Sequence, residues 1–235
     1  MFSLIPRTKS LAATLATIDS FVKTHEFGHI ISLNPENFVE AMTNPDFMTA
    51  YEHAEVMIAD GVGILVAGKF LGVPCGERIT GVDLMRLLIE KYPEKRIVFV
   101  GAHGNAAQKT LENLAKQTDA TAFPWIAFPD VDKNDPTLID KVVSAKPDIV
   151  FLAFGSPYQE LWIETYRKQL TGSVCMGVGQ AFNVYGGIIR RAPRFIQNLG
   201  LEWLYRLIAQ PWRWKRQLRL LKFIYLAIRY RFLAR

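Results

Sequence analysis

The sequence predicts an α/β fold: a Rossmann-like, mostly parallel sheet flanked by helices, with a basic amphipathic helical appendage at the C-terminus. Short apolar runs of β type alternate with longer segments of helical spacing, which is the pattern of successive βαβ units. Glycine-rich turns follow several of the β-type runs, as they do where a parallel strand leads into a helix. Half of the 235 residues are hydrophobic, which is enough for one large domain with its own core.

Strands are predicted at short apolar runs that end at Asn, Asp or Gly residues. No charged side chain interrupts these runs, as is typical of parallel strands that helices cover on both faces. In chain order they are Ile30–Leu33, Val56–Ala59, Ile97–Val100, Ile149–Phe154 and Val174–Val178.

Helices are predicted before and between these strands. Apolar residues that recur every three or four positions indicate the helical segments, and Asn or Asp followed by Pro marks two of the starts, because Pro suits a first helical turn. In order they are Leu11–Val22, a helix that opens at Asn34-Pro35-Glu36, a helix that ends at Leu71, Asp83–Tyr92, Asn105–Gln117, a helix from Asp135-Pro136 to about Ala145, and a helix from Pro157 to about Gln169.

The basic residues are concentrated at the C-terminus. Residues 188–235 contain 12 Lys or Arg residues and one acid, Glu202, and nine aromatic residues are interleaved with them, in a chain whose total charge is +6. Such a segment favours an anionic membrane surface or lipid phosphate. Its longest uncharged apolar run, Phe223–Ile228, is far shorter than the ~20 residues that cross a bilayer. We therefore predict an α/β catalytic domain over residues 1–195 and a membrane-associating helical appendage over residues 196–235.

Two other interpretations of the tail stay open. Basic side chains extend over apolar surface without any lipid, so the tail would also suit a helix packed on its own domain or on another subunit of a homo-oligomer. A basic tail also occurs in non-catalytic nucleic-acid binders. Against this alternative, apolar pairs such as Leu220-Leu221 and Phe223-Ile224 match lipid better than a phosphate backbone, and we expect no nucleic-acid partner.

A zinc-dependent hydrolase is the alternative enzyme class. His25-Glu26-Phe27-Gly28-His29 fits the pattern H-E-x-x-H, which needs both histidines on one face of a continuous helix. Gly28 inside the pattern and Pro35 soon after it argue against such a helix, and we expect no metal. The two cysteines, Cys75 and Cys175, lie in apolar contexts without metal-ligand spacing, as in a reduced, cytosolic protein without a visible secretory signal.

Polar residues at two strand ends are the first candidates for chemistry. Asp60 follows a buried strand and precedes Gly61-Val62-Gly63; a carboxylate there is well placed as a general base, although Asp also caps helices. Ser32 and Asn34 occupy alternate positions at the end of another strand, so their side chains point to the same side. They would orient a hydroxyl or a sugar, or serve only as strand-end and capping groups.

Three glycine turns follow other strands and would lie on the same edge of the sheet. They are Gly101-Ala102-His103-Gly104, Gly155-Ser156-Pro157-Tyr158-Gln159 and Gly177-Val178-Gly179-Gln180-Ala181-Phe182-Asn183. Backbone N–H groups at such turns bind phosphates. One turn alone is weak evidence, but three on the carboxyl edge of a parallel sheet favour a nucleotide or a nucleotide-sugar ligand.

Taken together, these motifs resemble the WecG/TagA/CpsF family of bacterial glycosyltransferases, from about Ser10 to Trp214. The segments that carry the resemblance are Ser32-Leu33-Asn34-Pro35-Glu36, Ala59-Asp60-Gly61-Val62-Gly63, Arg78-Ile79-Thr80-Gly81-Val82-Asp83-Leu84, Gly155-Ser156-Pro157-Tyr158-Gln159-Glu160, Gly177-Val178-Gly179, Arg190-Arg191-Ala192-Pro193 and Gly200-Leu201-Glu202-Trp203-Leu204-Tyr205-Arg206-Leu207.

The resemblance implies an inverting, metal-independent transfer in cell-surface polysaccharide biosynthesis, at the cytoplasmic face of the membrane. The donor is a UDP-sugar of N-acetylmannosamine, its uronic acid or glucose, and the acceptor is a polyprenyl-diphosphate-linked saccharide. Asp60 becomes the candidate base, with Ser32 beside it where many members have Thr. Asn183 lies where an acid is common. Lipid diphosphate is expected at Arg206, Arg213 and Arg216. The expected substrate-binding residues are Asn34, Arg78, Gly101, His103, Gly155, Gln159, Gly179, Gln180, Phe182, Asn183, Arg190 and Arg191.

Overall fold

In the computed structural model, which describes residues 10–73, 75–117 and 124–233, six strands form one sheet in which every neighbouring pair is parallel. Its strand order is β2-β1-β6-β5-β3-β4. The strands are β1 Gly28–Leu33, β2 Val56–Ala59, β3 Ile97–Gly101, β4 Trp125–Phe128, β5 Ile149–Ala153 and β6 Val174–Gly177. The predicted Rossmann-like α/β fold is confirmed.

The helices alternate with these strands. Those of the described residues are α1 Leu11–Thr24, α2 Pro35–Ala41, α3 Pro45–Glu52, α4 Val62–Leu71, α5 Gly81–Lys91, α6 Ala106–Gln117, α7 Leu138–Ser144, α8 Tyr158–Thr165, α9 Ala181–Tyr185, α10 Arg194–Asn198, α11 Glu202–Ala209 and α12 Trp214–Leu233, with a 3-10 turn at Pro211–Arg213. Asn34 and Asn44 cap α2 and α3 with their side chains, and Pro follows in both first turns, as expected for Asn-Pro starts.

Apolar side chains on both faces of the sheet form the core. Strands β1, β3 and β5 are buried along their whole length, because α1, α5, α6 and α9 cover one face. The other face is covered in two parts: α2, α3, α4 and α12 pack over β1 and β2, while α7 and α8 pack over β3, β5 and β6. Fully covered parallel strands explain the uninterrupted apolar runs in the sequence.

The C-terminal helix α12 packs on the α/β domain along one face. Phe223 and Ala227 are buried in the same core as α2 and α4, and the rings of Phe223 and Phe38 meet edge to face at 5.2 Å between centroids. Arg219 adds an ion pair with Glu40 of α2, at 2.7 Å. The packing of this helix on its own domain, one of the two open interpretations, therefore holds for this face.

The opposite face of α12 exposes a row of large apolar residues. They recur every three or four positions, as on one side of a helix, and are Trp214, Leu218, Leu221, Tyr225, Ile228 and Phe232. No helix within the described ranges is long and apolar enough to cross a membrane. The expected boundary between residues 195 and 196 falls inside α10, upstream of this exposed row.

Candidate active site

The carboxyl ends of the strands surround a cleft of about 470 Å³. Asp60 follows β2, Ser32 lies at the end of β1, and Gly155 and Gly179 follow β5 and β6, and all four line the cleft. Asp60, Gly155 and Gly179 therefore lie together at the predicted edge of the sheet, whereas Gly101, predicted there as well, does not line the cleft. The C-terminal segment completes the wall with Gly200, Glu202, Trp203, Arg206, Gln217 and Leu220.

Asp60 lines the cleft and does not cap α4, the helix that follows it. Its N–H donates to the carbonyl of Leu33, at 2.9 Å, which continues the pairing of β2 with β1. The cap residue of α4 is Gly61, and no side chain caps this helix. Asp60 therefore does not cap α4, and its carboxylate is directed instead to the backbone N–H of Gly81, the first residue of α5.

Glycines allow the turn after Asp60 to approach the turn after β1. A Cβ atom on Gly61 would lie 2.9 Å from the ring of Pro35, and one on Gly63 would lie 2.7 Å from it. Real Cβ atoms essentially never approach another heavy atom this closely, and the Pro35 ring is rigid, so both positions need glycine. This close approach places Asp60 beside Ser32 and Asn34 on the same side of the cleft.

Burial raises the pKa of Asp60 above its ordinary value. The Gly81 N–H, Arg206 and Arg78 act in the opposite direction, while the negative charge of Glu202 raises the pKa further. The carboxylate therefore binds a proton more strongly than a solvated aspartate does. A general base gains from such a shift, because proton transfer is most efficient when its pKa lies nearer the working pH.

Ser32 and Asn34 line the cleft and also have structural roles. The carbonyl oxygen of Ser32 accepts hydrogen bonds from the Tyr51 hydroxyl, at 2.7 Å, and from Asn37 Nδ2, at 3.2 Å. Its hydroxyl has no hydrogen-bond partner among the described residues and remains available to a ligand. Asn34 Oδ1 accepts from the N–H of Asn37, at 2.9 Å, so the two interpretations of Asn34 are compatible.

Arginine side chains converge on one wall of the cleft. Arg78 donates to the carbonyl of Gln197, at 2.8 Å, and lies 3.8 Å from Glu202. Arg206, one helical turn after Glu202, donates to its carboxylate at 2.7 Å. The wall is therefore a cationic surface organised around a buried carboxylate.

Arg190 and Arg191 were expected at the cleft, but neither lines it. Arg190 is exposed, whereas Arg191 binds the carboxylate of Asp83 at 2.8 Å and lies 3.6 Å from Glu202. Arg191 thus connects α5 to α11 behind the arginine wall. Arg213 and Arg216 cannot be placed in the same way, because their side chains lie outside the described part of the structure.

Gln159 connects two glycine turns. Its Oε1 accepts from the N–H of Gly155, at 3.2 Å, and from the N–H of Gly179, at 3.1 Å, while its Nε2 donates to Glu160, at 2.9 Å. A Cβ on Gly177 would lie 2.5 Å from this amide. Gly155 and Gly179 line the cleft, and in this structure their backbone N–H groups donate to Gln159, so their predicted role in substrate binding stays a prediction.

Two expected site residues belong to the core. Gly101 has a φ of 90°, and a Cβ there would lie 2.7 Å from the ring of Phe154, so this glycine serves packing. Phe182 is fully buried, and its ring lies 5.6 Å from that of Phe99. Neither residue lines the cleft, whereas His103, Gln180 and Asn183 do.

The H-E-x-x-H pattern is not on a helix. His25 ends α1 in a left-handed conformation, and His29 is fully buried in β1. Burial lowers the pKa of His29 to about 3, which keeps its ring neutral. The two histidines therefore lack the shared helical face that the zinc-hydrolase alternative requires, and within the described ranges no group of three His, Cys, Asp or Glu residues is arranged to hold a metal ion.

Two acids of the site escaped the sequence reasoning. Glu160 is 1% exposed, accepts from the Ser156 hydroxyl at 2.7 Å, and has an elevated pKa because of burial. No sequence signal distinguished it from a solvated helix residue. Glu202 is 8% exposed and had a usable signal, since it is the one acid among the 12 basic residues of segment 188–235.

Known proteins resemble this chain over most of its length. The model of the Glycosyl transferase WecG/TagA/CpsF family matches residues 5–235. A protein of Bacillus spizizenii named N-acetylglucosaminyldiphosphoundecaprenol N-acetyl-beta-D-mannosaminyltransferase is 33% identical over 211 residues, which cover 87% of this chain and 80% of the relative. Proteins of the same name from Bacillus subtilis and Staphylococcus aureus are 32% and 31% identical, over 84% and 92% of this chain and 78% and 81% of their own lengths.

Proposed function

Because this chain belongs to the WecG/TagA/CpsF family of glycosyltransferases, we propose that it transfers N-acetylmannosamine from its UDP-sugar to a polyprenyl-diphosphate-linked N-acetylglucosamine. The chain is a glycosyltransferase, and the choice of donor sugar and acceptor follows the names of its relatives. The competing donors, which the sequence analysis left open, are the UDP-sugars of the uronic acid of N-acetylmannosamine and of glucose.

The observation that carries the proposal is the cleft-facing Asp60 carboxylate beside a cationic wall. In the proposed step the acceptor hydroxyl oxygen attacks the anomeric carbon while Asp60 takes the hydroxyl proton. The bond from that carbon to the UDP oxygen breaks, and UDP leaves with the electron pair. A single displacement of this kind inverts the anomeric configuration.

The charge of the cleft supports two diphosphate-bearing substrates. Both the UDP leaving group and the lipid-linked acceptor carry diphosphates, and guanidinium groups bind such oxygens in bidentate fashion. Arg78 and Arg206 line the cleft, and we extend the lipid-diphosphate site to Arg213 and Arg216 from their place in the sequence. With these cations present, we expect the leaving group to be stabilised without a metal ion.

The exposed face of the C-terminal segment supports a peripheral position at the inner surface of the cytoplasmic membrane. Trp212 and Leu221 are 72% and 64% exposed, and Lys and Arg residues flank them. Apolar side chains of this kind enter the lipid interface while basic side chains attract anionic headgroups. A lipid-linked acceptor would then meet the cleft from the membrane side.

The function is tested by a donor screen with a short-chain polyprenyl-diphosphate N-acetylglucosamine acceptor. UDP release is measured with UDP-N-acetylmannosamine, the corresponding uronic acid donor and UDP-glucose. We expect acceptor-dependent release to be fastest with UDP-N-acetylmannosamine. Fastest release with another donor would reassign the sugar, and no acceptor-dependent release with any donor would contradict the proposal.

The membrane position is tested by replacing exposed tail residues without touching the buried face of α12. Trp212, Trp214, Leu218 and Leu221 are changed to Ser, and a control variant carries Ile126→Ser and Val143→Ser, two exposed apolar residues elsewhere. Co-sedimentation with phosphatidylglycerol vesicles is expected to fall only in the tail variant. Equal sedimentation of both variants would refute the tail's role.

A further inference from the structure

Glu202 is a buried carboxylate among three arginines. It is 8% exposed, and its oxygens lie 2.7 Å from Arg206, 3.6 Å from Arg191 and 3.8 Å from Arg78. A buried carboxylate is tolerated when cations and hydrogen bonds compensate its charge. Here the positive charge exceeds the negative charge, because three guanidinium groups face one carboxylate. A second carboxylate, Asp83, binds Arg191 but neither of the other two arginines.

Two of these arginines also act on Asp60. Arg78 and Arg206 line the cleft and lower the pKa of Asp60, whereas Glu202 raises it. Arg78 also reaches the carbonyl oxygen of Asp60, at 3.5 Å. The charge of Glu202 therefore offsets the same cations that would otherwise weaken Asp60 as a base.

We propose that Glu202 is a positioning residue, an internal counter-anion that holds Arg78 and Arg206 at the cleft until a diphosphate replaces it. The proposal rests on the proposed function, because that function supplies the diphosphate. A diphosphate and Glu202 compete for the same guanidinium groups, so Glu202 weakens diphosphate binding and favours the release of UDP after transfer. Glu202 touches no reacting atom and acts only through the arginines and the field at Asp60.

The charged groups around Asp60 come from several elements. Arg78, Arg206 and Glu202 act on Asp60, and the Tyr51 hydroxyl of α3 also lies within electrostatic reach of it. Glu36 of α2 and His103 after β3 line the same cleft. Among these groups Glu202 is the one acid whose oxygens are within 4 Å of both cleft arginines, so its removal changes their charge balance most directly.

The test replaces Glu202 with Gln, whose amide oxygen still accepts a hydrogen bond from Arg206. The matched control is Glu90→Gln, which breaks the exposed Arg86–Glu90 pair far from the cleft. Binding of inorganic pyrophosphate is measured by calorimetry, and the Asp60 carboxyl is titrated by carbon-13 NMR in the free protein. We expect pyrophosphate to bind about 3–10-fold more tightly to Glu202→Gln, because one opposing charge is removed from the arginine wall.

The same variant is expected to lower the pKa of Asp60, since the field of a nearby anion is lost. Glu202→Asp keeps the negative charge, so the titration curve of Asp60 in this variant should match that in the wild type. Unchanged pyrophosphate affinity and unchanged Asp60 titration in Glu202→Gln, relative to Glu90→Gln, would overturn the proposal. An equal shift in Glu202→Asp would overturn it as well, because shape and not charge would then be responsible.

Should Glu202→Gln fail to fold, the double variant Glu202→Gln with Arg191→Gln removes the excess positive charge on the side away from the cleft. It retains both cleft arginines, and comparison with Arg191→Gln alone isolates the loss of the Glu202 charge, for which both measurements are expected to move in the same directions. Neither measurement requires sugar transfer. If pyrophosphate affinity and the Asp60 titration both change but no sugar is transferred to any acceptor, the proposed function is contradicted and the role of Glu202 is supported. If sugar is transferred but neither quantity changes, the proposed function is supported and the role of Glu202 is contradicted.

Discussion

Asp60 and Glu160 are two enclosed carboxylates that differ in what faces them. Burial raises the pKa of both, and both act on the hydroxyl of Tyr51. Asp60 lines the cleft and faces Arg78 and Arg206. Glu160 lies behind the cleft, where one oxygen accepts from Gln159 and Ser156 and the other is buried without a partner among the described residues.

The difference teaches that an elevated pKa alone does not identify a base. A base must reach the proton that it removes, and of these two carboxylates only Asp60 lines the cleft. Glu160 instead belongs to a buried polar chain that runs through Ser156 and Asn37 to the carbonyl of Ser32. Such a chain specifies one arrangement of the site but performs no chemistry of its own.

Replacing Asp60 with Asn has the largest expected effect. The Asn amide cannot take the proton of the attacking hydroxyl, so kcat should fall by roughly 10²–10⁴-fold. Donor affinity should change little, because the arginine wall is untouched, and the thermal midpoint should not fall. The measurements are acceptor-dependent UDP release and calorimetric binding of the UDP-sugar. Activity within a few-fold of the wild type would remove Asp60 as the base.

Replacing Gln159 with Leu should affect stability more than chemistry. The N–H groups of Gly155 and Gly179 lose their shared acceptor at a part-buried site, where the loss should cost at most the about 1–3 kcal/mol of a fully buried unpaired donor. Urea unfolding is expected to show this loss, and kcat should fall less than in Asp60→Asn. The control is Gln108→Leu, which removes an exposed bond to Glu112. Equal stability of the two variants would show that the turns do not depend on Gln159.

The smallest expected effect is a change in pH dependence when Glu160 becomes Gln. An acid whose pKa is higher in the folded than in the unfolded state contributes stability below its unfolded pKa, near 4.5, and that contribution is lost as pH rises through the folded pKa. As pH rises from 4.5, the free energy of unfolding of Glu160→Gln should therefore increase relative to that of the wild type.

Transfer by Glu160→Gln is expected to stay within a few-fold of the wild type, because the Gln oxygen can still accept from Ser156. Unfolding curves at several pH values, together with the UDP-release assay, check both expectations. A loss of activity as large as that of Asp60→Asn would erase the distinction between the two carboxylates.

Most of the fold could be predicted from the sequence because its strands are buried on both faces. Uninterrupted apolar runs located β1, β2, β3, β5 and β6 to within two residues. The edge strand β4 was missed, since its four residues lie near Pro124 and Pro129 and are only partly buried. Helix α3 was also missed, although Asn44-Pro45 repeats the signal that found α2.

The site was predictable where one residue acts at a strand end and unpredictable where distant residues meet. Asp60, Ser32 and Asn34 were found because the carboxyl ends of parallel strands share one edge. Gln159 binds Gly179, 20 residues further along the chain, and the Arg78–Glu202 contact joins segments that sequence order does not relate. Such pairings depend on tertiary packing, which periodicity and capping signals do not contain.

The proposed single displacement, with Asp60 as the base, fixes the anomeric configuration of the product. The anomeric carbon of the transferred sugar is observed by NMR in the purified product and compared with the UDP-linked donor. We expect complete inversion at that carbon. Retention of the donor configuration would contradict it, because retention requires two displacements through a covalent intermediate instead of one step assisted by a base.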